Sequence, residues 1–209
     1  YWVAKLKDGN CWMTENLGIT FGDGEGMVSK LTSSDSDLTE GREWRPSNTE
    51  VTSSTSVIDN TDPNGTMSWN INGLTTGNQW YYQFNTATAG SGEGLANWTN
   101  AQDSICPLGW QLPDDLGNTS GGYRYLLSAY GNPTNGQLLV KEPLNFVKGG
   151  FIAGGRLSSN SGLGAYRTKS KDTGNVAWYF IFNDVGVSMS AGAGGYPTSH
   201  GMSVRCIAK

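Results

Sequence analysis

The sequence has one histidine, His200, and three cysteines, Cys11, Cys106 and Cys206, none of them in a C-x-x-C pair. A structural zinc site needs four nitrogen or sulfur ligands, and assembling them would use every cysteine and the histidine across the whole chain. A disulfide is the simpler expectation, and an odd cysteine count leaves room for one bridge and one thiol. Catalytic triads are equally short of parts, because a nucleophile needs a base oriented by a third group. His200 sits in Pro197-Thr-Ser-His200-Gly, a polar loop that fits an exposed structural histidine, so no catalytic residue is assigned. Charge is sparse as well: 15% of residues are charged, with 18 acidic against 14 basic, for a net charge of -4. Nucleic-acid binders draw affinity from clustered Lys and Arg, and an acidic chain of this kind is not expected to be one. Apolar runs extend only a few residues, far short of the ~20 that span a bilayer. No fixed-period repeat marks a solenoid or propeller. The chain opens at Tyr1 without an initiator methionine or leader, which reads as a piece of something longer, with any membrane anchor outside it.

What is present is length, glycine and aromatic residues. The 209 residues suit one large domain. Thirty glycines, seven prolines and 11% aromatics describe a loop-rich, strand-dominated globular chain. Asp8-Gly9 between two extended segments predicts a two-residue hairpin turn with positive φ at both positions. From Lys30 to about Asn72 the chain is rich in Ser, Thr, Asp and Asn, which predicts a polar surface excursion rather than a second domain. Tyr123, Leu126, Leu127 and Tyr130 fall on one helical face, with Thr119 or Ser120 to cap the start and Gly131 to end it. Asp114 and Asp115 are expected to approach that helix start, where carboxylates complement the dipole. Ala177 to Phe182 and Met202 to Ile207 read as strands.

Three segments together carry a resemblance. Asp8-Gly-Asn-Cys-Trp-Met-Thr-Glu-Asn-Leu17, Ile105-Cys-Pro-Leu-Gly-Trp-Gln-Leu-Pro113 and Gly201-Met-Ser-Val-Arg-Cys-Ile207 resemble the signature blocks of the Fibrobacter succinogenes major paralogous domain, in that family's order and over nearly the whole chain. The family is related to the formylglycine-generating-enzyme branch of the C-type lectin-like fold. The resemblance implies an α+β fold of that type over residues 1–209, with short strands, few helices and long loops. It also implies an extracellular or cell-surface module, and some similar domains are variable proteins of diversity-generating retroelements. The stretch Tyr166 to Ser190 resembles the segment that such members diversify, with Arg167, Lys169 and Lys171 departing from the family pattern.

In a fold of this type the Cys106 and Cys206 segments run close together, which implies a disulfide between them, with two buried free thiols as the alternative. Cys11 is then expected as a buried thiol beside Trp12. Calcium is the metal to test, since the fold often carries it. Asn60 to Gly65 starts like an oxygen-ligand loop but reaches Ile71 where an EF-hand needs Glu, and Asp23-Gly-Glu25 and Asn183-Asp184 are further candidates. Glu142-Pro143-Leu144-Asn145 and Phe182-Asn183-Asp184 only half match the sugar-binding blocks of calcium-dependent lectins. The metal therefore stays unassigned.

The surface expected to bind is built by residues 164–200. Strand alternation with Phe180 and Phe182 inward puts Tyr179 and Ile181 outward, and a cluster of large apolar residues facing water marks an interaction surface. Arg167, Lys169, Asp172, Trp178, Asp184, Tyr196 and His200 complete the candidate set. Burial of both strand faces is the equal alternative, in which case the pattern means core. The function expected is a non-catalytic display or adhesin-like module binding a protein or glycan on another cell or surface. The alternatives are a structural repeat unit of a large surface protein and an enzyme of the formylglycine-generating branch.

Overall fold

The computed structural model describes residues 1–18, 47–51, 67–71, 79–89, 91–92, 94–116, 120–153, 156–159, 162–190 and 197–209. It is rich in strands, with two short helices among the described residues. The first hairpin joins β1 (Val3–Lys5) to β2 (Cys11–Met13), with Lys5 opposite Cys11. Of Asp8 and Gly9 only Gly9 is left-handed, at φ 83°, and the Leu6 N–H reaches the Asn10 carbonyl at 2.9 Å. The connection is thus a three-residue loop ending in a left-handed glycine instead of the expected two-residue turn. Asp8 holds it closed, accepting from the Asn10 N–H at 3.2 Å and from Trp12 Nε1 at 2.8 Å. On β2, Trp12 enters the core while Cys11 faces outward and is exposed, which corrects the expectation of a buried thiol.

Both ends of the chain meet in one sheet. β12 (Ile207–Ala208) pairs with β2 on one side and with β6 (Trp110–Gln111) on the other. Cys106 and Cys206 are joined there by a disulfide, with 5.9 Å between their Cα atoms. Residues 201–206 do not form the continuous strand the pattern predicts. They make single bridges to Tyr82, Ile152 and Tyr166, threading between neighbouring sheets before β12 begins. Arg205 explains part of this irregularity. Its side chain is buried, donating to the carbonyls of Leu144 and Asn145 (2.9 Å for the latter) and to Asn16 Oδ1 at 2.9 Å, with its guanidinium 4.2 Å from the Phe146 ring centre.

The central sheet is β9 (Leu163–Lys171), β10 (Ala177–Asn183) and β11 (Val187–Ser190), all antiparallel with β10 in the middle. Phe180 and Phe182 face a core built with Trp12, Tyr123, Leu126, Phe146, Tyr166 and Ile207. The Tyr123 and Phe180 rings stack at 4.7 Å, one of several aromatic pairs that each contribute about 0.5–1.5 kcal/mol beyond burial. The opposite face of β10 is covered too: Tyr179 packs with Phe151, Ala165 and Met202, and the half-buried Ile181 lies against the same cluster. Two further strands, β7 (Phe151–Ala153) and β8 (Arg156–Ser158), pair with each other beside it.

Helix α1 (Phe84–Ala87) is a single buried turn following β5 (Gln79–Tyr82). Helix α2 (Tyr123–Ala129) buries Tyr123, Leu126 and Leu127 as the periodicity predicts. Its start differs from the expectation: Gly122 is the N-cap and offers no side chain. A Cβ at Gly122 would lie 1.9 Å from the Asp114 carbonyl oxygen, so glycine permits the close approach of the 114–115 segment. Asp115 then supplies the missing acceptor from outside the helix, taking the Arg124 N–H at 3.1 Å. At the other end Gly131, at φ 80°, donates to Ser128 and Asn132 donates to Leu127, the paired bonds of a Schellman cap.

Most of the stretch 30–72 lies outside the described residues. Two strands within it, β3 (Ser47–Val51) and β4 (Met67–Ile71), pair in parallel, and β4 pairs antiparallel with β5.

Candidate binding surface

Of the nine residues expected to contact a ligand, three are interior. Arg167 is 0% exposed, Asp172 1% and Tyr179 6%, so none of them is presented at the surface in this structure. Arg167 and Tyr179 lie on the face of the β9–β10 hairpin that packs against β7 and residues 197–203, whereas at Asp172 the carbonyl accepts from the Trp98 N–H and the N–H donates to the Val176 carbonyl. The Arg167 guanidinium donates to the carbonyls of Tyr82 (3.4 Å), Pro197 (3.4 Å), Thr198 (3.3 Å) and His200, gathering that segment onto β9. Burial lowers the Arg167 pKa to about 9. His200 is half-buried, its ring 5.8 Å from that of Phe151, and burial together with the Arg167 charge pushes it down to about 4. It is therefore not the exposed loop histidine the sequence predicts.

The remaining candidates are scattered. Asp184 is at the far end of β10, paired with Lys148 and accepting from Gln137 Nε2 at 2.6 Å. It lies six positions along the chain from Trp178, about 20 Å at ~3.3 Å per residue of strand. Tyr196 lies outside the described residues, as do the calcium candidates Asp23, Glu25 and Asn60 to Gly65. Among the described residues no three His, Cys, Asp or Glu side chains converge as a metal site. Lys169 is half-buried and turned inward, with Nζ 3.3 Å from Gln111 Oε1 and 3.8 Å from Asp114 Oδ2.

Trp178 is different, because residues the sequence reading passed over surround it. The Trp98 ring meets it edge-on at 6.2 Å, and the Arg124 guanidinium lies 4.7 Å from its ring centre. Trp98 is 58% exposed. It also has φ 59°, a left-handed conformation that a bulky side chain adopts only when its surroundings impose it. The surroundings here are specific. The Trp98 N–H donates to the Asp172 carbonyl at 3.2 Å, the Lys171 N–H to Thr99 O at 2.9 Å, and the Ala101 N–H to Lys169 O at 2.8 Å. Lys171 Nζ reaches Leu95 O at 2.7 Å, and the Gly174 N–H reaches Asn97 Oδ1 at 3.1 Å. Loop 95–101 is thereby clamped along the β9–β10 hairpin with a large ring left facing solvent.

The same clamp extends to helix α2. Asn100 Nδ2 donates to Asp114 Oδ2 at 2.7 Å, Ser170 Oγ donates to Asn100 Oδ1 at 2.8 Å, and the Asp115 N–H donates to Ser170 Oγ at 3.1 Å. Burial raises the Asp115 carboxyl to about 6, against the helix N–H groups and Arg124 that favour its charge. Beyond Arg124 the outer face of α2 borders a cavity of about 510 Å³ lined by Arg124, Tyr125, Leu127, Ser128 and Asn132. Arg124 thus belongs both to the Trp98–Trp178 cluster and to the wall of this cavity. The only sequence signals of this surface were a lone tryptophan in a polar loop and the non-core face of the helix. Comparison with known proteins found no matching family model, no matching curated protein and no matching solved structure.

Proposed function

We propose that the protein is a non-catalytic extracellular binding module of the C-type lectin-like kind, with its contact surface at Trp98, Trp178 and Arg124. The observation that carries this reading is Trp98, a large ring kept exposed in a strained backbone conformation by a dense set of hydrogen bonds. Strain of this sort costs about 1–3 kcal/mol and clusters at ligand clamps. Tryptophan, tyrosine and arginine are also the residue types that dominate binding hot spots. The fold assignment draws support from the three resembling segments, all of which pair in the terminal sheet, the second and third being joined by the disulfide as well. A disulfide persists in oxidising compartments, which fits a secreted location. No helix among the described residues is long and apolar enough to cross a membrane.

Retroelement-driven diversification is a narrower form of this reading. It is supported by the resemblance of Tyr166 to Ser190, and adjacent DNA encoding a reverse transcriptase and an adenine-differing near-copy of that segment would establish it. The binding reading itself is tested on an array carrying oligosaccharides and purified ectodomains, comparing wild type with Trp98→Ala and Arg124→Gln. Selective binding that both substitutions weaken in protein that remains folded at the assay temperature supports it; binding indifferent to both contradicts it.

A further inference from the structure

Taking the Trp98–Trp178–Arg124 surface as the binding site, we infer that its ligand is a neutral, hydroxyl-rich glycan chain, stacked on Trp98 and entering the cavity beside Arg124. Three features select this chemistry. First, the cavity wall offers a phenol, a hydroxyl, a carboxamide and a guanidinium, from Tyr125, Ser128, Asn132 and Arg124, and among the described residues no carboxylate. Such a wall both donates to and accepts from hydroxyl groups, and about 510 Å³ falls in the range of small-ligand clefts. Second, the apolar component is concentrated in rings, with Trp98 58% and Tyr125 40% exposed. A pyranose presents a face of C–H bonds to an aromatic ring and its hydroxyls to the rim, so one ligand matches both parts of the surface.

Third, the charge is balanced. Arg124 lies beside Asp115, Lys169 beside Asp114, and Lys171 caps the Leu95 carbonyl. Among the described residues of this surface no cluster of unspent cations is left to select an acidic sugar or a phosphate. A protein partner fits less well, since a stable interface buries about 800 Å² on each side around an apolar centre.

The test is native affinity electrophoresis in gels containing barley β-glucan, xylan, galactomannan or starch, with polygalacturonate as the acidic comparison. At least one neutral polysaccharide should retard wild type more than polygalacturonate does. Trp98→Ala should abolish that retardation at wild-type melting temperature, and Tyr125→Ala and Arg124→Gln should weaken it about tenfold in protein that remains fully folded at the temperature of the gel. No retardation by any neutral polysaccharide, retardation unchanged in Trp98→Ala, or preference for polygalacturonate overturns the inference. If the ectodomain arm of the array instead shows Trp98-dependent binding, the glycan assignment falls while the binding surface stands. If neither arm shows it, both fall.

Discussion

The guanidinium of Arg124 sits 4.7 Å from the centre of the Trp178 ring, and Trp98 meets the same ring at 6.2 Å. Three segments far apart in sequence, loop 95–101, helix α2 and β10, therefore converge on a single indole. A cation over an indole contributes about 0.5–1 kcal/mol where solvent reaches it and about 2 kcal/mol where it does not. Arg124→Gln should accordingly lower stability by about 1 kcal/mol or less, a small effect beside the loss of binding expected of it. A destabilisation of several kcal/mol in urea unfolding would instead make Arg124 a structural residue.

The disulfide closes a loop of 100 residues. In the chain-entropy model such a loop contributes roughly 4 to 5 kcal/mol by restricting the unfolded chain. Reduction, or the Cys106→Ser and Cys206→Ser double substitution, should lower the melting temperature appreciably. Because Cys11 is exposed, one thiol should react with Ellman's reagent in the native oxidised protein and none should be added on unfolding. Three thiols in protein purified without reductant would contradict the pairing.

Two groups, the buried Asp115 and the half-buried His200, drive the stability in opposite directions over the same pH range. Asp115 is raised from 3.8 to about 6 in the fold, so its contribution is fully present below 3.8 and is lost as pH rises through about 6. His200 is lowered from 6.5 to about 4, so its contribution is present above 6.5 and is lost as pH falls through about 4. For Asp115 the displacement corresponds to roughly 3 kcal/mol. Asp115→Asn should leave a protein whose stability rises from pH 4 to 6.5, whereas His200→Gln should leave one whose stability falls from pH 4 to 6. Urea midpoints across this range check both, and parallel profiles in the two variants would refute the assignment.

Arg167 is fully buried, yet its replacement by a long apolar side chain should be survivable. The carbonyls of Tyr82, Pro197 and Thr198 that it contacts each also accept a backbone N–H, from Met202, His200 and Phe84. Losing one buried donor costs about 1–3 kcal/mol, and removing a desolvated interior charge offsets part of that. Arg167→Met should therefore cost no more than about 3 kcal/mol, with faster amide hydrogen exchange concentrated in residues 198–201. Failure to fold would show that the guanidinium holds far more than this segment.

The sequence pattern carried the elements further than it carried their surroundings. Helix α2 and its left-handed Gly131 follow from residue spacing, and so does the inward placement of Phe180 and Phe182 on β10. Alternation also put Tyr179 on the opposite face, but it contains no information about whether that face is covered. The bridges from Gly201, Met202 and Ser203 to Ile152, Tyr82 and Tyr166 cover it, and they join residues tens of positions apart. Arg167 misleads for a related reason, since arginine is rarely buried and its carbonyl partners come from a distant loop. Trp98 leaves almost no local signature, because its conformation is imposed by Lys169, Lys171 and Asp172 on another segment.

The most direct test of the account compares Trp98→Ala with Tyr179→Ala for melting temperature and ligand binding in parallel. Trp98 is 58% exposed and Tyr179 6% exposed, so the two changes should separate cleanly. Trp98→Ala should keep the wild-type melting temperature and lose binding. Tyr179→Ala should lose about 3–5 kcal/mol of stability, as large aromatic truncations in cores do, and should still bind at temperatures where it remains folded. Binding retained by Trp98→Ala, or lost by a folded Tyr179→Ala at full stability, would contradict the placement of the binding surface.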